Sequence, residues 1–167
     1  EEAGEVAVDT ETSSLDPHLA DLVGISLCSK IGKACYIPVG HKSKDCLNKD
    51  SVINKLKNLL EDPSVKKIGQ NIKFDFIVFY KLGISLSSME DTMLMSYVLD
   101  AGKNRHNMDT LSDIHLGHKT IKFKEIVGTG KNQLNFSEVD INVAKDYAAE
   151  DADITFRLYK LLSSRIR

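Results

Sequence analysis

The sequence predicts an α/β domain in which helices pack around a central mixed β-sheet. Three β-branched or apolar segments lie within the first 40 residues and suggest a strand meander. From Asp50 onwards the apolar residues recur with a helical period, and one further short strand interrupts them. Strands therefore come first, then alternating strands and helices, and then helices, which is an α/β order of elements.

The predicted elements are joined by short connections. The first strand includes Val6–Val8 and continues towards Asp9 and Glu11, and Asp50 or Ser51 is expected to cap the first helix, which ends before Pro63. The other predicted strands span 22–29, 34–39 and 65–69, and the other predicted helices span 71–82, 91–99, 108–116 and 141 to about 165. The segments 102–108 and 117–136 are predicted to be rich in loops.

Length and composition limit the class of protein. A chain of 167 residues is the size of one domain, and we predict a single domain over 1–167. The net charge of −2 argues against a broad electrostatic grip on duplex nucleic acid, although it permits a local phosphate site. No apolar run approaches the roughly 20 residues of a membrane span, and the first residues lack the features of a signal peptide. We therefore expect a cytoplasmic protein that does not enter a membrane.

The three cysteines, Cys28, Cys35 and Cys46, are odd in number and contain no C-x-x-C pair. This pattern argues against a disulfide framework and against a zinc site. Cys28 and Cys35 lie in apolar stretches, so we expect both thiols to be buried.

Four acidic residues and one tyrosine are the candidate site residues. Asp9 and Glu11 project to the same side of a strand, because strand side chains alternate. Asp75 lies in the first turns of a helix, where the helix dipole favours an acid. Tyr147 and Asp151 are four residues apart and share one helix face. Taken singly, these residues have ordinary explanations as a solvated strand end, a helix-dipole acid and a core tyrosine.

Taken together, the four carboxylates predict a site for two divalent cations. Carboxylate oxygens suit Mg²⁺ or Mn²⁺, and no cluster of His or Cys favours zinc. Two such ions about 3.5–4 Å apart stabilise both the attacking and the leaving oxygen of a phosphoryl displacement. Tyr147 is expected to position the attacking water, because a phenol with a pKa near ~10 is a poor base at neutral pH.

Three segments of the chain resemble the motifs of a known nuclease group. VDTETSSLD, IGQNIKFD and YAAEDADIT resemble, in this order, the three exonuclease motifs of the tyrosine-bearing branch of the DEDD superfamily. The resemblance is nearest to the 3′–5′ proofreading exonuclease domain of bacterial family A DNA polymerases I. It continues through RHNMDTL and HKTIKFKEIVGTGKNQLNF and so covers nearly the whole chain. It implies an RNase-H-like exonuclease fold with the acids at one edge of the sheet.

The resemblance also implies an activity and a set of residue roles. The activity is removal of nucleotides from single-stranded or frayed DNA 3′ ends with release of 5′-mononucleotides, as the proofreading part of a DNA polymerase I. By this resemblance, the ligands of the tighter metal are Asp9, Glu11 and Asp151, and Asp9 also bridges to a second metal that Asp75 holds through water. The resemblance further implies that Glu11 and Tyr147 orient the attacking water. The residues that match contacts to the 3′-terminal nucleotides are Thr10 through its backbone, Leu15, Gln70, Asn71, Arg105 and Phe123.

Two alternatives remain open at this point. The first is an RNA-trimming exonuclease of the RNase D group, which carries a similar set of five residues; the segment 105–136 favours the polymerase branch instead. The second is a non-catalytic nucleic-acid-binding or scaffold domain, which the intact acids disfavour. If the chain belongs to a DNA polymerase I, the polymerase portion is absent from it and is expected on its C-terminal side. We expect the protein to be a monomer in the bacterial cytoplasm, associated with the nucleoid.

Overall fold

A computed structural model of the chain describes residues 4–166 and places a five-stranded sheet at their centre. The strands are β1 (Glu5–Thr12), β2 (Leu22–Lys30), β3 (Lys33–Pro38), β4 (Lys66–Gly69) and β5 (Met89–Asp91). The strand order is β3-β2-β1-β4-β5, with antiparallel pairs from β3 to β1 and parallel pairs from β1 to β5. The predicted mixed sheet is therefore confirmed, and β1 is its central strand.

Helices cover both faces of this sheet. The α-helices of the described residues are α1 (Lys49–Glu61), α2 (Ile72–Lys81), α3 (Thr92–Asp100), α4 (Met108–Leu116), α5 (Phe123–Val127) and α6 (Ile141–Ser163). Single turns of 3₁₀-helix at Gly130–Asn132 and Phe136–Glu138 lead into α6. The α/β class predicted from the sequence is thus the class of the folded chain.

The alternation of side chains along β1 decides which helices meet which of its residues. Val6 and Val8 are buried against α1 and α2 on one face of the sheet. Ala7 is buried on the other face with residues of α3, α4 and α6. Because side chains alternate along a strand, Asp9 and Glu11 share the face of Ala7, and Thr10 shares the face of Val8. The strand therefore presents two carboxylates towards α6 and a hydroxyl towards α2.

Several local predictions differ from the structure. The short strand β5 was not predicted, because a segment of three residues shows no periodicity. Helix α5 lies within the segment predicted as loop. Helix α1 begins earlier than predicted, and the side chain of Asn48 accepts a hydrogen bond from Ser51 N as its N-cap. Cys28 is buried as predicted, but Cys35 is exposed, because β3 is an edge strand of the sheet. Within residues 4–166, every helix is too short or too polar to cross a membrane.

Candidate active site

Three of the predicted acids meet between the central strand and the last helix. Asp9 and Glu11 lie near the carboxyl end of β1, and Asp151 lies on the face of α6 that packs over that strand. One carboxylate oxygen from each of the three residues lies within 4.8 Å of those from the other two. None of the ion pairs formed within residues 4–166 involves these acids. Among these residues, the cluster therefore has no cationic side chain paired with it.

The fourth acid, Asp75, lies beside this cluster and is held by Thr10. Asp75 is buried in the first turn of α2. Its Oδ1 accepts hydrogen bonds from Thr10 N at 2.9 Å and from Thr10 Oγ1 at 2.6 Å. The Thr10 hydroxyl reaches Asp75 because the Thr10 side chain points to the α2 face of the sheet. The alternation of β1 thus positions Asp9 and Glu11 directly and Asp75 through Thr10.

Burial gives these carboxyl groups unusual acidities. Burial raises the pKa of Asp9 to about 7, against a smaller opposing effect from its hydrogen bond with the Thr10 backbone. Burial, and then the charges of Asp9, Asp151 and Asp75, raise the pKa of Glu11 well above its usual range. The pKa values of Asp75 and Asp151 are raised for the same two reasons, burial first and the charge of Asp9 second. Such a group of buried carboxyls binds either protons or cations.

The donor set fits divalent metal ions. Every candidate ligand atom is a carboxylate oxygen, which is the donor that Mg²⁺ and Mn²⁺ prefer, and no His or Cys belongs to the cluster. The buried and unpaired negative charge would be costly without a counter-ion. Asp9, Glu11 and Asp151 are the residues that would hold such an ion, with Asp75 available beside them.

Tyr147 lies one turn before Asp151 on α6 and packs against two phenylalanines. Its ring centroid is 6.2 Å from that of Phe123 and 6.1 Å from that of Phe136. Burial, followed by the charges of Asp151, Glu11 and Asp9, raises the pKa of the phenol far above its ordinary value. The hydroxyl therefore stays protonated at every physiological pH and can donate a hydrogen bond.

A cleft of about 1120 Å³ opens over the carboxylates. Of the predicted nucleotide contacts, those that line it are Thr10, Leu15, Gln70, Asn71 and Phe123. The Leu15 side chain is 91% exposed and that of Phe123 is 40% exposed, which leaves apolar surface free on the rim. Arg105 is exposed and is not among the residues that line the cleft; Asn107, two positions further on, is.

The Gln70 side chain is hydrogen-bonded to other residues of the protein. Its Oε1 accepts a hydrogen bond from Thr92 Oγ1 at 2.5 Å, and its Nε2 donates to the carbonyl of His106 at 2.8 Å. These contacts join the turn after β4 to the segment that precedes α4. Any contact of Gln70 with a nucleotide would therefore be made by a side chain whose orientation is already set.

The structure adds cleft residues that the sequence did not single out, among them Asn107, Gln133, Leu134, Asn135 and Phe136. Leu134 is 45% exposed and extends the apolar rim. The Nδ2 of Asn135 donates to the carbonyl of Ser13 at 2.8 Å, which links the loop of Leu134 to that of Leu15. The local signal for this segment was the capping box formed by Asn135 and Glu138, which marks a helical turn but carries no indication of a ligand.

The fold and the carboxylate cluster together define an RNase-H-like α/β nuclease, an enzyme class that uses divalent metal ions. The family model of the 3′–5′ exonucleases matches residues 1–167, and the chain belongs to this family. The predicted family resemblance is thereby confirmed.

Comparisons with individual proteins agree with this assignment. The chain is 45% identical over 184 residues to the DNA polymerase I of Rhizobium leguminosarum, a match that covers 98% of the chain and 18% of that protein. It thus spans about a fifth of the length of this relative. Among solved structures, Brucella melitensis NrnC superimposes with a TM-score of 0.77 at 26% identity, covering 98% of this chain and 73% of that one. Escherichia coli RNase D superimposes with a TM-score of 0.69 at 18% identity over 96% of this chain and 39% of that one, a likeness of fold alone.

Proposed function

We propose that the chain is the proofreading exonuclease domain of a DNA polymerase I. It removes nucleotides from single-stranded or frayed DNA 3′ ends and releases 5′-mononucleotides. The observation that carries the proposal is the cluster of Asp9, Glu11 and Asp151, unpaired and within 4.8 Å, at the floor of a cleft with an apolar rim. The identity to a bacterial DNA polymerase I supports DNA as the substrate and a polymerase portion elsewhere in the parent protein. Such a parent acts in the bacterial cytoplasm, at the nucleoid.

Two Mg²⁺ ions are the cofactors that we infer, and Mn²⁺ is expected to substitute for them. Asp9, Glu11 and Asp151 would hold one ion, and Asp9 and Asp75 would hold the second. Bound there, the pair would supply stabilisation of negative charge on the attacking and leaving oxygens of the phosphodiester. A structure of Brucella melitensis NrnC with bound Mg²⁺, 26% identical to this chain, supports the choice of ion.

The chain's own residues orient the reactants. The protonated phenol of Tyr147 donates a hydrogen bond that orients the attacking water, and Glu11 accepts one from the same water. The backbone of Thr10 and the side chain of Asn71 contact the terminal nucleotide. Leu15 and Phe123 provide apolar and aromatic surface on which bases stack regardless of sequence.

Selectivity for mispaired ends follows from this mode of binding. Base stacking on apolar side chains accepts any base, so the site itself discriminates little between sequences. A mismatched terminus frays more readily than a matched one and more often supplies the single strand that the cleft accepts. The free energy of unpairing would therefore set the preference. In this reading Arg105, exposed near the cleft, contacts a phosphate of the incoming strand.

The proposal is tested with 3′-mismatched DNA, matched DNA and an RNA of the same sequence, each with a 5′ label. We expect single-nucleotide products from DNA in Mg²⁺ or Mn²⁺, faster from the mismatched end, and none in chelator. Asp9→Asn keeps the shape of the side chain and removes its charge, and it should abolish the products. The matched control is Asp146→Asn, an exposed acid on α6 outside the cleft.

Four results would contradict the proposal. Full activity in chelator would exclude the metal site, and full activity of Asp9→Asn would exclude the acid cluster. Faster degradation of the RNA than of the DNA would favour an RNase D-like exoribonuclease. An absence of any product with all three substrates would favour a binding or scaffold domain.

A further inference from the structure

The turn between β4 and α2 passes through a left-handed residue. Asn71 has φ 60° and ψ 46°, a conformation that few residues other than glycine adopt and that asparagine tolerates better than most. It occupies the N-cap position of α2, yet its own side chain makes no capping hydrogen bond. Such a conformation persists when its surroundings hold it in place. Asn71 also lines the cleft, so this turn lies beside the candidate active site.

The cap that Asn71 does not provide comes from Asp91, at the end of the neighbouring strand β5. Register places Asp91 directly opposite Gly69 of β4. One oxygen of its buried carboxylate accepts from Asn71 N at 3.0 Å, and the other accepts from Ile72 N at 3.1 Å. The first oxygen also accepts from Met93 N at 2.9 Å, which caps α3. A single carboxylate therefore caps the starts of two helices.

Thr92 completes this arrangement from the next position. Its fully buried hydroxyl lies 3.1 Å from the carbonyl of Gly69 and 2.5 Å from Oε1 of Gln70. Asp91 thus holds the amides that follow the turn, and Thr92 holds the groups that precede it. The contacts of Asp91 and Thr92 with residues 69–72 cross between segments about 20 residues apart, so they fix one element relative to another.

We propose that Asp91 and Thr92 are positioning residues for the exonuclease reaction, an inference that rests on the proposed function. By capping α2 from outside, Asp91 leaves the Asn71 carboxamide free to face the cleft. By fixing the first turn of α2, it also sets the position of Asp75, three residues after Ile72. Loss of these contacts should move Asn71 and Asp75 while leaving Asp9, Glu11 and Asp151 in place, because those acids are carried by β1 and α6.

Asp91→Ser separates the two capping roles. A serine caps a helix about as well as an aspartate, so α3 keeps its cap. Its single oxygen cannot also reach both Asn71 N and Ile72 N. In the metal-free protein we expect faster hydrogen exchange at the Asn71 and Ile72 amides, with the Met93 amide still protected. In the nuclease assay we expect kcat to fall about 10- to 100-fold. Thr92→Val, which removes only the hydroxyl, should also lower kcat.

The matched control is Asn48→Ala, which removes the cap of α1 far from the cleft. It should lower the melting temperature by a few degrees and leave kcat unchanged. An equal loss of kcat in Asn48→Ala and Asp91→Ser would mean that the activity merely follows stability, and the proposal would fail. If Asp91→Ser showed the same hydrogen exchange and the same kcat as the wild-type protein, the proposal would also fail. If the wild-type protein released no nucleotides at all, the proposed function would fail, while the exchange measurement would still test whether Asp91 caps α2.

Discussion

Tyr147 shows how its surroundings determine the chemistry of a side chain. In water the pKa of a tyrosine phenol is about 10, but burial and three neighbouring carboxylates raise the pKa of Tyr147 far above that value. In the metal-free protein the hydroxyl therefore stays protonated and can donate a hydrogen bond that orients a water. The ring packs against Phe123 and Phe136, and the hydroxyl is hydrogen-bonded to Asp151. The role that we propose for Tyr147 is accordingly one of orientation.

Removal of the Tyr147 hydroxyl tests this role. We expect Tyr147→Phe to lower kcat by about tenfold or more, because the water loses one of its orienting partners. The affinity for Mn²⁺, measured by calorimetry, should stay close to that of the wild-type protein. Tyr80→Phe, at an exposed position on α2, is the control and should change neither quantity. Loss of Mn²⁺ binding in Tyr147→Phe would show that the phenol supports the metal ligands instead.

Helix α6 organises the site through two of its faces. One face carries Tyr147 and Asp151 to the cleft, and an adjacent face carries Glu150 to the segment 117–122. Glu150 Oε2 accepts from Ile121 N at 2.7 Å, and its Oε1 pairs with His118 Nε2 at 2.8 Å. This segment leads directly into α5, whose first residue is Phe123. The same helix therefore places Tyr147 and Asp151 and anchors the aromatic rim.

Loss of the Glu150 contacts should affect substrate binding more than the rate of the chemical step. In Glu150→Ala the Ile121 amide loses its acceptor, so we expect KM for a DNA oligonucleotide to rise several-fold with kcat changed by less than about twofold. Stability should fall by about 1–2 kcal/mol in urea unfolding, since the lost bond is made to a charged group. Asp146→Ala, on the exposed side of the same helix, should change neither parameter. A fall in kcat with an unchanged KM would contradict the anchoring role.

The assembled fold concentrates negative charge that the separate segments would keep apart. Asp9 and Glu11 come from β1, Asp75 from α2 and Asp151 from α6, and folding brings them beneath one cleft. Their raised pKa values express the unfavourable free energy of that arrangement in the absence of a cation. The cluster therefore lowers the stability of the metal-free protein, as the residues of active sites commonly do.

This charge predicts how the stability of the metal-free protein depends on pH. Between its unfolded pKa of 3.8 and its folded pKa of about 7, Asp9 binds more protons in the folded state. Stability from this group is therefore present at low pH and is lost as the pH rises through about 7. We expect calorimetry to give a melting temperature several degrees lower at pH 8 than at pH 5, and Mg²⁺ to restore it at pH 8.

The pH dependence of stability must be compared with that of a control variant, because other groups also titrate in this pH range. Burial lowers the pKa of His41, which makes stability rise with pH below about 6.5 and opposes the effect of the acids. Asp9→Asn retains His41 but lacks the Asp9 carboxyl and its charge on Glu11, Asp75 and Asp151. The difference between the two proteins therefore reports Asp9 together with its effect on these acids. An identical pH dependence in both proteins would show that Asp9 does not carry the effect.

Much of the architecture could be read from local periodicity. The alternation of β1 placed Asp9 and Glu11 on one side, the four-residue spacing placed Tyr147 and Asp151 on one helix face, and most helices were predicted within a few residues of their bounds. These features depend on neighbours in the chain, so sequence patterns report them. The short strand β5 and helix α5 were missed because elements of three and five residues show no period.

The order of side chains along the chain therefore determined the types of element, the candidate acids and the family. Folding alone decided that Thr10 holds Asp75, that Asp91 caps α2 and that Phe136 packs against Tyr147. Asp75 is 65 residues from Thr10, and Asp91 is 20 residues from Asn71. Contacts over such separations depend on strand order and on which helix covers which face, and no local pattern encodes either one.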